Sequence, residues 1–215
     1  MKRFKNILFY VDGMESLMPS LRRALDLAET NQARLTLIDV VQPVDTPAQV
    51  KTRFKLELTD LLMQQRQQAL EKLCTELDRN DRVSYHKVMV GVPFVEVIKL
   101  IQQDHYDLLM KIANPPSGIN ERLFGGNDLH LFRKCPCPVL IDRPYSPRPY
   151  QNILAAVDTT AVENSGCDTL IMDLATSLAH TEDALLDVIH TWKFPGESAL
   201  AHSSQFNLTA SEVNI

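Results

Sequence analysis

Long apolar runs, glycine and cysteine are all scarce in this chain of 215 residues, which has 7 Gly and 4 Cys. No segment approaches the roughly 18 consecutive apolar residues that a membrane-spanning helix needs. The run from Ile7 to Val11 follows basic residues, but it is shorter than the apolar part of a secretory signal, about 7–15 residues, and Asp12 ends it. The sequence therefore predicts a cytoplasmic protein without a membrane partner.

The four cysteines do not show the spacing of a metal or disulfide site. Cys74 and Cys167 stand alone, and Cys135 and Cys137 form a C-x-C inside a Pro-rich segment. A zinc or redox site would need C-x-x-C spacing and further ligands elsewhere. We therefore expect four reduced, mostly buried thiols and no bound metal.

An excess of positive charge is also missing, since the net charge is −5. Residues 146–215 hold 2 Lys/Arg and 9 Asp/Glu, against 20 and 18 in residues 1–145. Neither part offers a basic platform, so nucleic acid is not an expected partner.

Catalytic motifs are absent as well. The sequence has no G-x-S-x-G and no Walker A motif, and His86, His105 and His130 lie apart without ligand spacing. The sequence therefore predicts no catalytic residue and a protein that is not an enzyme.

What the sequence does contain is a regular alternation of short apolar strands and amphipathic helices. Such an alternation predicts an α/β fold with an open, doubly wound parallel sheet. The predicted strands are residues 6–12, 34–41, 85–90, 107–112 and 138–141, and the predicted helices are 17–28, 47–79, 94–103 and 127–134.

The beginning of the chain is repeated after a Pro-rich linker at residues 143–150. Residues 152–158 mirror residues 6–12, and residues 185–189 mirror the second strand. The repeat predicts a complete domain at residues 1–142 and a partial second copy at residues 151–215. We expect this second copy to be incomplete, because sequence for three further strands is missing.

Several segments match the motifs of one family: Val11-Asp12-Gly13, Val40-Val41, Gly91-Val92-Pro93, Tyr106-Asp-Leu-Leu-Met110 and Leu131-Phe-Arg-Lys-Cys-Pro-Cys-Pro-Val-Leu140. On these residues the chain resembles the universal stress protein family over residues 4–142, and again over residues 150–194. The duplication makes it similar to tandem members of the E type.

The resemblance implies a Rossmann-like sheet of five strands with the order 3-2-1-4-5. It also implies a ligand crevice at the first strand, where Asp12 would face a ribose and Val40 or Val41 would flank a base. The candidate ligand-binding residues are Asp12, Val40, Val41, Gly91, Gly125, Gly126 and Asn127.

Many members of the family bind ATP through Gly-x-x-Gly, nine further residues, and Gly-Ser or Gly-Thr. Aligned on this pattern, Gly125 and Gly126 occupy the final pair, but Ile112 and Pro115 replace the first two glycines. Proline has no N–H to donate to a phosphate, and isoleucine is bulky beside the backbone. ATP is therefore possible but disfavoured, and we expect no cofactor.

Three functions remain open from the sequence. The first is a non-catalytic stress-response protein that acts through ligand binding and dimerisation. The second is a small-molecule or nucleotide-derivative binding module that uses the crevice at the first strand, and the third is a weak ATP-binding or ATP-hydrolysing protein. Because the second copy lacks a last strand, we expect a homodimer through the edge strand Val139–Ile141.

Overall fold

The computed structural model describes residues 3–12, 17–54, 57–77, 83–113, 126–144, 146, 148–158 and 165–190. The chain divides into two compact units, Met1–Ser146 and Pro147–Ile215. In the described ranges, no helix is both long enough and apolar enough to cross a membrane.

The first unit is a parallel sheet of five strands between helices. Its strand order is β3-β2-β1-β4-β5, and all four strand pairs are parallel. The predicted fold class and strand order are thus confirmed. The elements are β1 (Asn6–Tyr10), α1 (Leu17–Asn31), β2 (Arg34–Val41), α2 (Ala48–Phe54), α3 (Leu58–Leu77), β3 (Val83–Val90), α4 (Pro93–Asp104), β4 (Leu108–Ile112), α5 (Gly126–Lys134) and β5 (Val139–Asp142).

The central strands bury apolar side chains on both faces of the sheet, because helices cover both faces. Along β1, Ile7 and Phe9 join one core cluster with residues of α1 and α3. The alternate residues Leu8 and Tyr10 join a second cluster with residues of α4 and α5. The continuous apolar run of β1 is thereby explained, and the sheet separates the two clusters.

The long helix predicted for residues 47–79 is wrong, since two helices, α2 and α3, occupy this stretch. The segment before α2 bonds to the start of α3: the Leu58 amide donates to the Thr46 side chain at Oγ1 at 2.8 Å, and the Val44 backbone amide donates to the Thr59 side chain at Oγ1 at 3.0 Å. A hydroxyl that accepts from a first-turn amide satisfies a donor that a helix start leaves free. The periodic apolar pattern did not reveal this start.

The strand order reverses beside β1. The chain passes from β1 to β2 on one side, and from β3 to β4 on the other side of β1. The carboxyl ends of β1 and β4 therefore border the point at which an open α/β sheet holds its ligands.

The second unit repeats the β-α-β start of the first. It contains β6 (Asn152–Ala156), α6 (Ser165–Glu182) and β7 (Leu185–Ile189). The two strands are parallel, with Asn152 opposite Leu185 and Ala156 opposite Ile189. Their order along the chain matches the internal repeat that the sequence contains.

Candidate functional site

The residues predicted to bind a ligand lie at the carboxyl edge of the sheet. Asp12 follows β1, Val40 and Val41 end β2, and Gly91 follows β3. The Gly91 amide donates to the Val41 carbonyl oxygen at 3.0 Å, which brings these two together. A Cβ at Gly91 would lie only 2.7 Å from Cγ of Glu96, so a side chain there would force the Glu96 side chain to move.

The structure describes only some residues of the predicted phosphate loop. Gly126 and Asn127 form the start of α5, and Ile112 ends β4. Gly125 and Pro115 lie outside the described residues. The geometry of the loop as a whole therefore stays a prediction.

A lysine that the sequence reading did not select is the centre of the site. Lys111 of β4 has a fully buried side chain. Its Nζ lies 2.5 Å from Asp128 Oδ1 and 3.2 Å from Asp12 Oδ2. The Asp128 carboxylate is itself fully buried, whereas the side chain of Asp12 is 23% exposed. The ammonium thus links β4 to the end of β1 and to the first turn of α5, at the point where the strand order reverses.

Tyr10 of β1 contacts the same group of charged side chains. It lies beside Lys111 in the register of β1 and β4, and its hydroxyl donates to Asp12 Oδ1 at 3.1 Å. Burial, and then the adjacent Asp12 carboxylate, raise the pKa of the Tyr10 phenol. Tyr10 therefore stays a neutral donor that fixes the orientation of Asp12.

A second buried carboxylate, Asp39, lies on β2. Its Oδ1 accepts from the Val40 amide at 2.9 Å, and its Oδ2 lies 3.4 Å from Arg66 Nη1 of α3. Burial raises the pKa of Asp39 to about 6, and the Asp12 carboxylate adds to this, whereas Arg66 opposes it. Asp39 is therefore partly protonated in a mildly acidic solution.

Lys111, Asp39 and Asp128 were missed because the sequence reading sought glycine motifs. A signal was present for two of them, since Lys111 and Asp39 interrupt apolar runs that were predicted as buried strands. A charged residue in a buried strand needs a partner of opposite charge. Among the described residues, no group of three His, Cys, Asp or Glu is placed to hold a metal ion.

Lys111→Met is expected to destabilise the fold by about 3–5 kcal/mol, because it removes one partner of a buried ion pair, the cation that contacts Asp128 at 2.5 Å. Lys99→Met is a matched control: Lys99 is exposed on α4 and pairs with Glu96, so its loss should cost at most about 1 kcal/mol. Urea unfolding followed by circular dichroism measures both.

The double variant Lys111→Met/Asp128→Asn should lose less stability than Lys111→Met alone, since the fully buried charge of Asp128 is then removed together with its cation. Equal losses for Lys111→Met and Lys99→Met would show that the buried ion pair is not a structural constraint.

Asp39 should make stability depend on pH. The folded pKa, about 6, lies above the ordinary value of 3.8, so the fold binds the proton more tightly and wild type loses stability as the pH rises from about 4 to 6. Asp39→Asn cannot ionise. Relative to wild type, its unfolding free energy should therefore rise by on the order of 1–2 kcal/mol between about pH 4.5 and 7.5.

The exposed Asp60, on the same helix as Arg66, supplies the control variant Asp60→Asn. Because this carboxylate is exposed, Asp60→Asn shows how much of the change follows from removing any carboxylate of this helix. A difference for Asp39→Asn that is flat, or that falls with pH, would contradict the assignment.

The chain is similar in sequence and in fold to known proteins. The profile of the Universal stress protein family matches residues 3–143. Universal stress protein E of Photorhabdus laumondii is 27% identical over 146 residues, which are 65% of this chain and 45% of that protein. Universal stress protein E of Escherichia coli K12 is 24% identical over 210 residues, 85% of this chain and 60% of that protein.

These figures mean that the chain spans about half the length of the E-type relatives it matches. A putative universal stress protein from Pseudomonas aeruginosa has the same fold, with a TM-score of 0.67 at 20% identity over 98% of this chain and 73% of that one. With its family profile, its sheet of order 3-2-1-4-5 and its repeated β-α-β start, this chain belongs to the universal stress protein family.

Proposed function

We propose that this chain is a non-catalytic stress-response protein of the cytoplasm, that it acts by binding, and that an internal ion pair replaces the ATP site of its family. The observation that carries this proposal is the Lys111 ammonium, fully buried between Asp12 and Asp128. It occupies the reversal point of the strand order, where the family resemblance puts the ligand crevice.

The position of Lys111 in the sequence supports the same reading. Lys111 immediately precedes Ile112, which stands where an ATP-binding relative has its first glycine. A cation there could in principle attract phosphates, but this one already neutralises Asp128 at 2.5 Å. Turning it toward a ligand would break its contact with the buried Asp128 carboxylate, and breaking a buried ion pair costs about 3–5 kcal/mol. The ion pair therefore competes with a triphosphate.

A second candidate is a small-molecule binding module in the same crevice. Asp12 Oδ2 and Asp39 Oδ2 are buried and make no hydrogen bond in the part of the chain that the structure describes. They face their cations only as ion pairs, at 3.2 and 3.4 Å. A ligand with neutral O–H or N–H donors, such as the hydroxyl groups of a small molecule or of a nucleotide derivative, would satisfy both carboxylates.

Native mass spectrometry of the purified chain, with and without millimolar ATP and magnesium, tests the first proposal. We expect no saturable ATP adduct, because the phosphate loop lacks two glycines and the ammonium is already paired. Phosphate release from ATP should equal that of buffer alone.

A saturable ATP adduct would contradict the proposal, and Asp12→Asn would then show whether the crevice holds it, since the adduct should weaken. A copurified mass that is not a nucleotide, and that Asp12→Asn also weakens, would favour the second candidate.

We also propose that the chain forms a homodimer through β5. This strand is an edge of the sheet among the described residues. The Pro138 and Asp142 carbonyl oxygens accept from Leu109 and Ala113, so these two residues point their polar groups toward β4. By the alternation of a strand, the amides of Val139 and Ile141 point outward, where a second copy can pair with them.

Ile141→Pro should weaken such a dimer, because proline removes an outward N–H while leaving the bonds of Pro138 and Asp142 in place. Sedimentation velocity at micromolar concentration should show a dissociation constant at least about tenfold higher than that of Ile141→Ala, the control that loses the same side chain. A monomeric wild type, or equal behaviour of the two variants, would refute the edge pairing.

A further inference from the structure

Two thiols lie side by side at the joint between α5 and β5. The helix ends at Lys134 and the strand begins at Val139, so four residues, Cys-Pro-Cys-Pro, make the connection. The Sγ atoms of Cys135 and Cys137 are 3.6 Å apart, and both residues are partly exposed. The S–S distance of a disulfide is about 2.05 Å, so the two sulfurs need to move only a short distance toward each other to form one.

The surroundings hold the two thiols in this position. The Cys135 amide donates to the Leu131 carbonyl oxygen at 2.9 Å, and the Pro138 carbonyl oxygen accepts from the Leu109 amide at 3.0 Å. Both cysteines also pack against the core cluster of α4 and α5. Pro136 and Pro138 restrict the backbone between and after them. The backbone of this segment is therefore already restricted, and forming a bond between the two sulfurs costs little further conformational entropy.

The other two cysteines differ from this pair in their surroundings. Cys74 is buried in the core cluster on the opposite face of the sheet. Cys167 is exposed on α6 of the second unit. In the described part of the chain, only Cys135 and Cys137 have their sulfurs in contact.

The pair is also asymmetric. The contact with the Cys137 thiol lowers the pKa of Cys135 to about 7, although burial opposes this. The contact with Cys135, together with burial, raises the pKa of Cys137. Because the thiolate is the nucleophile, we expect Cys135 to be the sulfur that attacks first.

We propose that Cys135 and Cys137 are an oxidation site, at which hydrogen peroxide converts the two thiols into a reversible disulfide. The Cys135 thiolate attacks a peroxide oxygen, the O–O bond breaks, and the departing hydroxide takes a proton to leave as water. Cys135 is then a sulfenic acid. The Cys137 sulfur attacks Cys135 Sγ, the S–O bond breaks, and a second water leaves as the S–S bond forms. Two thiols have supplied two electrons, and one peroxide has become two waters.

The ring that this disulfide closes contains a single intervening residue, a proline. Such a short connection strains the geometry of a disulfide, and strained disulfides are the ones that small thiols reduce readily. The bond is therefore a labile modification and not a structural staple. This inference goes beyond the reduced thiols that the C-x-C spacing alone predicts.

The test uses the full chain with Cys167→Ser, which removes the exposed thiol that would otherwise form disulfides between molecules. Treatment with one equivalent of hydrogen peroxide should lower the intact mass by two hydrogens and remove two alkylatable thiols. Dithiothreitol should restore both. An unchanged mass, or a mass that only gains oxygen, would overturn the proposal.

Two further variants in the same background separate the roles of the sulfurs. Cys167→Ser/Cys137→Ser should accumulate a sulfenic acid at Cys135 that dimedone traps, because the resolving thiol is missing. Cys167→Ser/Cys135→Ser should react at least about tenfold more slowly with peroxide. Equal rates would overturn Cys135 as the attacking thiol. Circular dichroism of each variant confirms that the fold is retained.

Discussion

The buried ammonium of Lys111 is the constraint on which the carboxyl edge of the sheet depends. A charge without access to water is tolerated only beside opposite charge, and here Asp128 and Asp12 supply it at 2.5 and 3.2 Å. These contacts come from three elements, β4, the end of β1 and the first turn of α5. The position of α5 against the sheet is therefore fixed by electrostatics as well as by apolar packing, and Asp128 also suits the positive end of that helix.

Two further buried carboxylates along this edge are also paired with cationic side chains. Asp142, at the end of β5, accepts from Ser20 Oγ at 2.5 Å and from Arg23 Nη1 at 2.6 Å, which ties α1 to the edge strand. Asp39 faces Arg66 of α3. Each of these buried carboxylates has a cation from the protein itself. Lys111, Arg66 and Arg23 are therefore already paired with carboxylates of the protein, which supports the proposal that this edge does not hold a phosphate group.

The sequence predicted the layers of this fold but not the centre of the site. Apolar periodicity identified each strand of the sheet, while the strand order came from the family resemblance. The contact of Lys111 with Asp12 could not be foreseen, because it depends on the register that sets Tyr10 beside Lys111. The helix predicted for residues 47–79 failed for a related reason, since the start of α3 depends on its hydrogen bond to Thr46, twelve residues earlier. Periodicity describes a helix face and carries no information on such distant partners.

Helix α5 connects the buried ion pair, the two thiols and the edge strand. It has nine residues, with the Asp128 ion pair in its first turn, Cys135 directly after its last residue, and the edge strand β5 beyond the Cys-Pro-Cys-Pro joint. A packed helix of this length moves as a unit, because its neighbours leave no space for local adjustment. A covalent bond that draws Cys135 toward Cys137 must then be accommodated either by a shift of α5, which the Lys111–Asp128 contact resists, or by a shift of β5. The edge strand is paired on one side only among the described residues, so we expect β5 to yield before α5 does.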